Sequence, residues 1–137
     1  MPKNLKPALL LTRLFIAYFM LMWALDRFSD AEHAENVANK FYKVGDLSLS
    51  AVPPQAIGVF LLVVIFAFVI GLKKRISYGL VMVIHGLGTL FTIKHLVPFS
   101  DSFTLIFLAA LPTLGAMILL FILRREDTIL SLKGKWS

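Results

Sequence analysis

Residues 76–96 read ISYGLVMVIHGLGTLFTIKHL. This stretch constrains the fold most, because about 20 residues rising 1.5 Å each span the roughly 30 Å hydrocarbon core of a bilayer. Backbone groups at that depth must be satisfied inside the segment, so it is expected to be a helix. Three further apolar blocks lie at about 7–28, 55–72 and 103–123, separated by short polar or basic segments. Four such blocks predict an all-α chain, an integral membrane four-helix bundle forming a single transmembrane domain over 1–137. Composition agrees: charged residues make up 16% of the chain, against about 25% in a soluble domain.

The first block opens on Pro7, which suits a first helical turn, and closes on Trp23, Asp26, Arg27 and Phe28. Ser29-Asp30-Ala31-Glu32 has the form of a capping box. Ala34, Val37, Ala38 and Phe41 then recur at helical spacing and predict a short amphipathic helix over about 30–43. Phe41 and Tyr42 suit a helix lying on the membrane surface, and Gly45-Asp46 stops it. The second block contains the unbroken apolar run 59–70, and nothing in it marks an inward face. Gly71 ends it, and Lys73-Lys74-Arg75 makes a tight basic turn into the third block. The fourth block carries Pro112, which predicts a kink, and Ala109, Ala110, Gly115 and Ala116, which permit close helix approach.

The net charge of +6 could suggest nucleic acid, but the bases flank the apolar blocks and serve topology instead. One side carries Lys3, Lys6, Arg13, Lys73, Lys74, Arg75, Arg124, Arg125, Lys133 and Lys135 against Glu126 and Asp127, ten bases to two acids. The other carries Arg27, Lys40, Lys43 and Lys94 against Asp26, Asp30, Glu32, Glu35, Asp46 and Asp101, four bases to six acids. The bias puts both termini in the cytoplasm. The chain has no cysteine, which removes disulfides, thiol chemistry and Cys-ligated metals. Ala24-Leu25-Asp26-Arg27 is not a signal-peptidase site, so the first block is expected to remain.

Candidate chemistry is sparse. His85 is the one ionisable residue near the middle of an apolar block. It shares a helical face with Gly88, Thr89, Thr92 and His95, extended by Tyr78 and Met82. This polar stripe either lines a ligand, quinone or proton site, or lets His85 hydrogen-bond a neighbouring helix. His85 and His95 lie about 15 Å apart along one helix, too far to share an iron, so no haem or metal is expected in this chain alone. At the outer rim, Trp23 and Asp26 lie at the depth of Lys94 and His95 and form either a ligand site or an interfacial anchor with an ion pair. Arg13 near the inner rim can snorkel, contact lipid phosphate or pair with a subunit. No phosphate loop or nucleophile–base arrangement appears.

The pattern Leu-x-x-Arg-Leu-x-x-Ala-x-x-Phe-x-x-x-Trp-x-x-Asp-Arg-Phe over 10–28 leads into an amphipathic loop with Phe41-Tyr42. A Pro-rich entry then opens a second span carrying Gly58 and ending Gly71-Leu72-Lys73. Together these resemble the DoxX/DoxD family of small four-span bacterial membrane proteins. Arg13 matches the arginine that opens that family's first span, whereas Asp26-Arg27 stands where members often show Gly-x-x-Lys followed by Leu or Phe. The resemblance implies the bacterial cytoplasmic membrane and a link to thiosulfate–quinone oxidoreduction or to membrane oxidoreductase assemblies. Three functions compete: an accessory subunit of a larger membrane complex, respiratory or redox in type; a quinone- or lipid-binding redox protein using the His85 face; and a small transporter. The transporter reading lacks an embedded carboxylate, since Ala17 and Tyr18 occupy the middle of the first block. The implied partners are lipid, other membrane subunits or further copies of the chain.

Overall fold

The computed structural model describes residues 2–41, 43–44, 47–48, 52–98 and 105–132. Tyr42, the Gly45-Asp46 stop, Asp101, Lys133 and Lys135 lie outside the described residues. The fold is helical, apart from a two-residue antiparallel pairing of Lys43–Val44 with Leu47–Ser48. In chain order come α1 (Leu5–Ser29), α2 (Ala31–Phe41), α3 (Pro54–Val69) and α4 (Lys74–Phe91). A 3₁₀ turn over Ile93–His95 follows α4, and another over Leu105–Ala109 runs into α5 (Ala110–Ile122). Leu5–Ser29 and Leu105–Ile122 are each long and apolar enough to cross a membrane, whereas Pro54–Val69 is apolar but shorter, about 24 Å. Lys74 and Arg75 in the first turn of α4 dilute its apolar character.

Local chemistry sets the boundaries. Pro7 occupies the third position of α1, where no intrahelical N–H is needed. The cap of α2 falls on Asp30 rather than Ser29: Asp30 Oδ1 accepts the His33 N–H at 2.8 Å, while Ser29 Oγ donates back to Leu25 O. α3 ends in a Schellman motif. The Leu72 N–H bonds Ala67 O at 2.8 Å, the Gly71 N–H bonds Phe68 O at 3.1 Å, and Gly71 sits at φ +65°. Lys73, at φ +42°, completes the reversal into α4.

Two expectations for the last block change. Pro112 makes no mid-helix kink, because α5 begins at Ala110 and the proline falls in its first turn, preceded by the tighter 3₁₀ turn. Gly115 makes no close helix contact, since a Cβ there would meet nothing within 4 Å. The close approach is at Gly58 of α3 instead. A Cβ there would lie 2.6 Å from the Phe28 ring and 3.3 Å from Ala24 O of α1.

α1 packs on α3, α3 on α4, α4 on α5, and α5 on α1, with α2 laid against α1 and α3. The core draws Ile16, Met20 and Ala24 from α1, Leu61, Ile65 and Phe68 from α3, Tyr78 and Val81 from α4, and Met117 and Leu120 from α5. α3 therefore has an inward face, chosen by shape rather than polarity. α2 buries Ala34 and Ala38, on the face its spacing indicates.

Candidate functional site

One end of the helices is closed by a buried polar centre built on Arg13. Its side chain has no exposed surface. Arg13 Nη1 donates to Tyr78 Oη at 3.0 Å and to Asp127 Oδ2 at 3.1 Å. Arg13 Nη2 donates to the carbonyls of Ile129 at 2.6 Å and Leu130 at 3.2 Å. Tyr78 in turn donates to Asp127 Oδ2 at 2.7 Å. Lys74 Nζ reaches Asp127 O at 2.5 Å, and Ser131 Oγ donates to the same carbonyl.

The segment after α5 is what makes this centre possible. From Asp127 to Leu132 the chain forms a strap across the helix ends, tied at its far end by the Leu132 N–H to Ile70 O at 2.9 Å. Leu130 adopts φ +48°, which brings the 129 and 130 carbonyls onto one guanidinium. The strap also runs over Gly71, where a Cβ would stand 2.6 Å from that of Ser131. Two buried cations, Arg13 and Lys74, thus face one buried carboxylate and three carbonyl oxygens, whose dipoles supply the remaining negative potential. The strap puts the start of α1, the α3–α4 turn and the end of α5 at the same end of the molecule.

The sequence sends Arg13 outward to headgroups or a partner; its side chain turns inward instead, to the chain's own tail. Asp127 is the residue sequence reasoning missed, having counted only as one of two acids in a basic tail. A lone arginine inside an apolar block needs an anion, and the two acids just past the last block were the signal available.

The polar stripe of α4 divides by depth. Tyr78 belongs to the Arg13 centre, its ring edge-on to Phe68 at 4.8 Å. His85 Nε2 lies 3.0 Å from Ala110 O of α5. A carbonyl only accepts, so Nε2 carries the hydrogen in this contact. The His85 ring meets Phe19 of α1 edge-to-face at 5.5 Å. The threonines are turned onto their own helix: Thr89 Oγ1 donates to His85 O and Thr92 Oγ1 to Gly88 O, both at 2.9 Å.

The outer-rim residues are placed separately. Asp26 reaches His33 of α2 at 3.9 Å, Trp23 is edge-on to Phe19 at 6.5 Å, Lys94 is exposed, and His95 stacks on Phe107 at 5.0 Å. Among the described residues no cluster of three or more His, Asp or Glu could hold a metal ion.

At the end opposite the strap lies an apolar cavity of about 440 Å³. It is lined by Ile57, Phe60 and Leu61 of α3, Ile84, Leu87 and Phe91 of α4, Ala38 of α2 and Arg27 of α1. α3 and α4 are joined by the tight 70–73 reversal, and the cavity lies between the halves of the two helices far from it. A smaller apolar groove runs between Phe15 and Phe19 of α1 and Pro112 and Ala116 of α5. No family model, curated protein or solved structure matches the chain.

Proposed function

We propose that this chain is a four-span protein of the bacterial cytoplasmic membrane, DoxX/DoxD-like in design, with both termini in the cytoplasm. In this reading it is a non-catalytic accessory subunit of a larger membrane complex of respiratory or redox type. The observation that carries the membrane reading is the inverted polarity of the helices. Arg13, Lys74, Ser77, Thr89 and Asp127 are buried, while Phe15, Phe66 and Ile106 are 67%, 68% and 76% exposed. Of the apolar stretches in Leu5–Ser29 and Leu105–Ile122, only 33% and 11% are buried within the protein, the reverse of a soluble core helix. Exposed apolar area on that scale matches a lipid solvent. α3 is short for the roughly 30 Å core, which local thinning and the 70–72 turn accommodate.

Sidedness draws on the strap, which gathers Arg13, the 73–75 turn and the 124–125 pair at one end, the charge asymmetry of a cytoplasmic face. The accessory role draws on what the polar residues do. Arg13 is engaged by the chain's own Asp127, Tyr78 and the 129 and 130 carbonyls, and His85 lies against Ala110 O of α5. Because the chain has no cysteine, single cysteines report topology cleanly. A membrane-impermeant maleimide on intact spheroplasts should label Asn36→Cys in α2 and spare Lys3→Cys until the cells are permeabilised; the opposite pattern would overturn the orientation. Isolation in mild detergent should bring a stoichiometric partner chain, and recovery as a solitary chain would sink the accessory role.

A further inference from the structure

We infer that the cavity between α3 and α4 is a lipid site, taking one acyl chain of an anionic phospholipid whose phosphate sits against Arg27. The inference rests on the membrane reading above. At about 440 Å³ the cavity falls within the roughly 300–1,000 Å³ of small-molecule sites. Its walls, among them Ile57, Phe60, Leu61, Ile84 and Leu87, are hydrocarbon, so they select a chain rather than a polar solute. Phe60 and Leu87 are half-exposed, so the cavity opens sideways into the surrounding lipid rather than to water. A two-chain lipid fits this shape with one chain inside and the other left in the bilayer.

The headgroup follows from charge. Among the described residues Arg27 is the one charged residue lining the cavity, and it stands at the last turn of α1, at headgroup depth in the membrane reading. Its Nε is buried with no hydrogen-bond partner among the described residues. The neighbouring carboxylate, Asp26, is directed to His33 instead. A guanidinium left without an anion at the polar end of a hydrocarbon slot matches a phosphodiester, which it binds through charge-assisted, often bidentate bonds. Zwitterionic lipid offers the same phosphate with a cation attached, so the site should prefer a net negative headgroup.

The test uses the full chain in nanodiscs of dioleoylphosphatidylcholine doped with dioleoylphosphatidylglycerol, with retained lipid counted by native mass spectrometry after release. The wild-type chain should hold one phosphatidylglycerol, enriched about tenfold over its share of the bilayer, which corresponds to about 1.4 kcal/mol. Arg27→Gln should lose that enrichment, Arg27→Lys should keep most of it, and Leu87→Trp, which fills the mouth, should retain neither lipid. Size-exclusion profiles matching wild type establish that the variants are folded. Equal retention of both lipids by wild type, undiminished enrichment in Arg27→Gln, a free fatty acid as the bound species, or no bound lipid would each overturn the site. Failure of the membrane reading would show separately, as a chain extracted by alkaline carbonate that does not enter nanodiscs at all.

Discussion

Replacing Asp127 with leucine should strand the Arg13 guanidinium in a fully buried site with no counter-charge. Breaking a buried ion pair by removing one partner costs about 3–5 kcal/mol, because the survivor is left uncompensated. Arg13→Met should cost a similar amount, since it takes from Asp127 its ion-pair partner, leaving only Tyr78 and the more distant Lys74 charge, and takes the donor from the carbonyls of Ile129 and Leu130. The double variant removes both members of the Arg13–Asp127 pair and leaves Lys74 on the backbone carbonyl of residue 127, so its cost should fall short of the sum by at least about 2 kcal/mol. Reversible unfolding in mixed micelles of dodecyl maltoside and dodecyl sulfate measures all four corners of this cycle. The strap offers the single variants one escape, peeling away so that Arg13 hydrates from that end of the molecule. That route caps the global cost at the free energy of strap opening and loosens the backbone around Arg124 and Arg125, so that trypsin can cleave there. Additive costs, with no gain in tryptic cleavage for Asp127→Leu, would refute the claim that this pair locks the strap to the helices.

Further expectations concern packing. Gly71→Ala should cost about 1–2 kcal/mol for the left-handed backbone alone, plus the clash with Ser131, and should raise tryptic cleavage at 124–125 like the loss of Asp127. Gly58→Ala should be mild in the same micelle assay, because the exposed Phe28 ring can swing aside. Gly58→Leu should lose about 1–3 kcal/mol by forcing α1 and α3 apart at Ala24. His85→Phe should cost only about 0.6 kcal/mol, the average for an interhelical polar contact in a membrane, and a collapse of the fold would show that His85 does more than bond Ala110.

The helices were legible because their signals are local. Apolar runs, the proline in the first turn of α1, the glycine after α3 and the alanine stripe of α2 each act within a few residues. The face of α3 was not legible, since an all-apolar helix hides its orientation and only the fit of Gly58 against Phe28 selects it. Pro112 was misread as a kink because nothing nearby shows that the chain is 3₁₀ before it and α-helical after. Half of the Arg13 centre could be read: an arginine and a tyrosine in apolar blocks stand out, but the carboxylate that completes them is 114 residues away, in a tail that looks like solvent-facing punctuation. The cavity was invisible for the same reason, being a property of how α2, α3 and α4 pack rather than of any residue in them.

The distance along the chain between Arg13 and Asp127 also sets an order of events during synthesis. At about 5–20 residues per second, the ribosome needs roughly 6–23 s to travel from the arginine to its carboxylate. Throughout that interval the guanidinium lacks the carboxylate that pairs with it in the finished fold. Any product stopping short of residue 127 keeps that flaw permanently, a chemical mark by which quality control could tell an unfinished chain from a finished one.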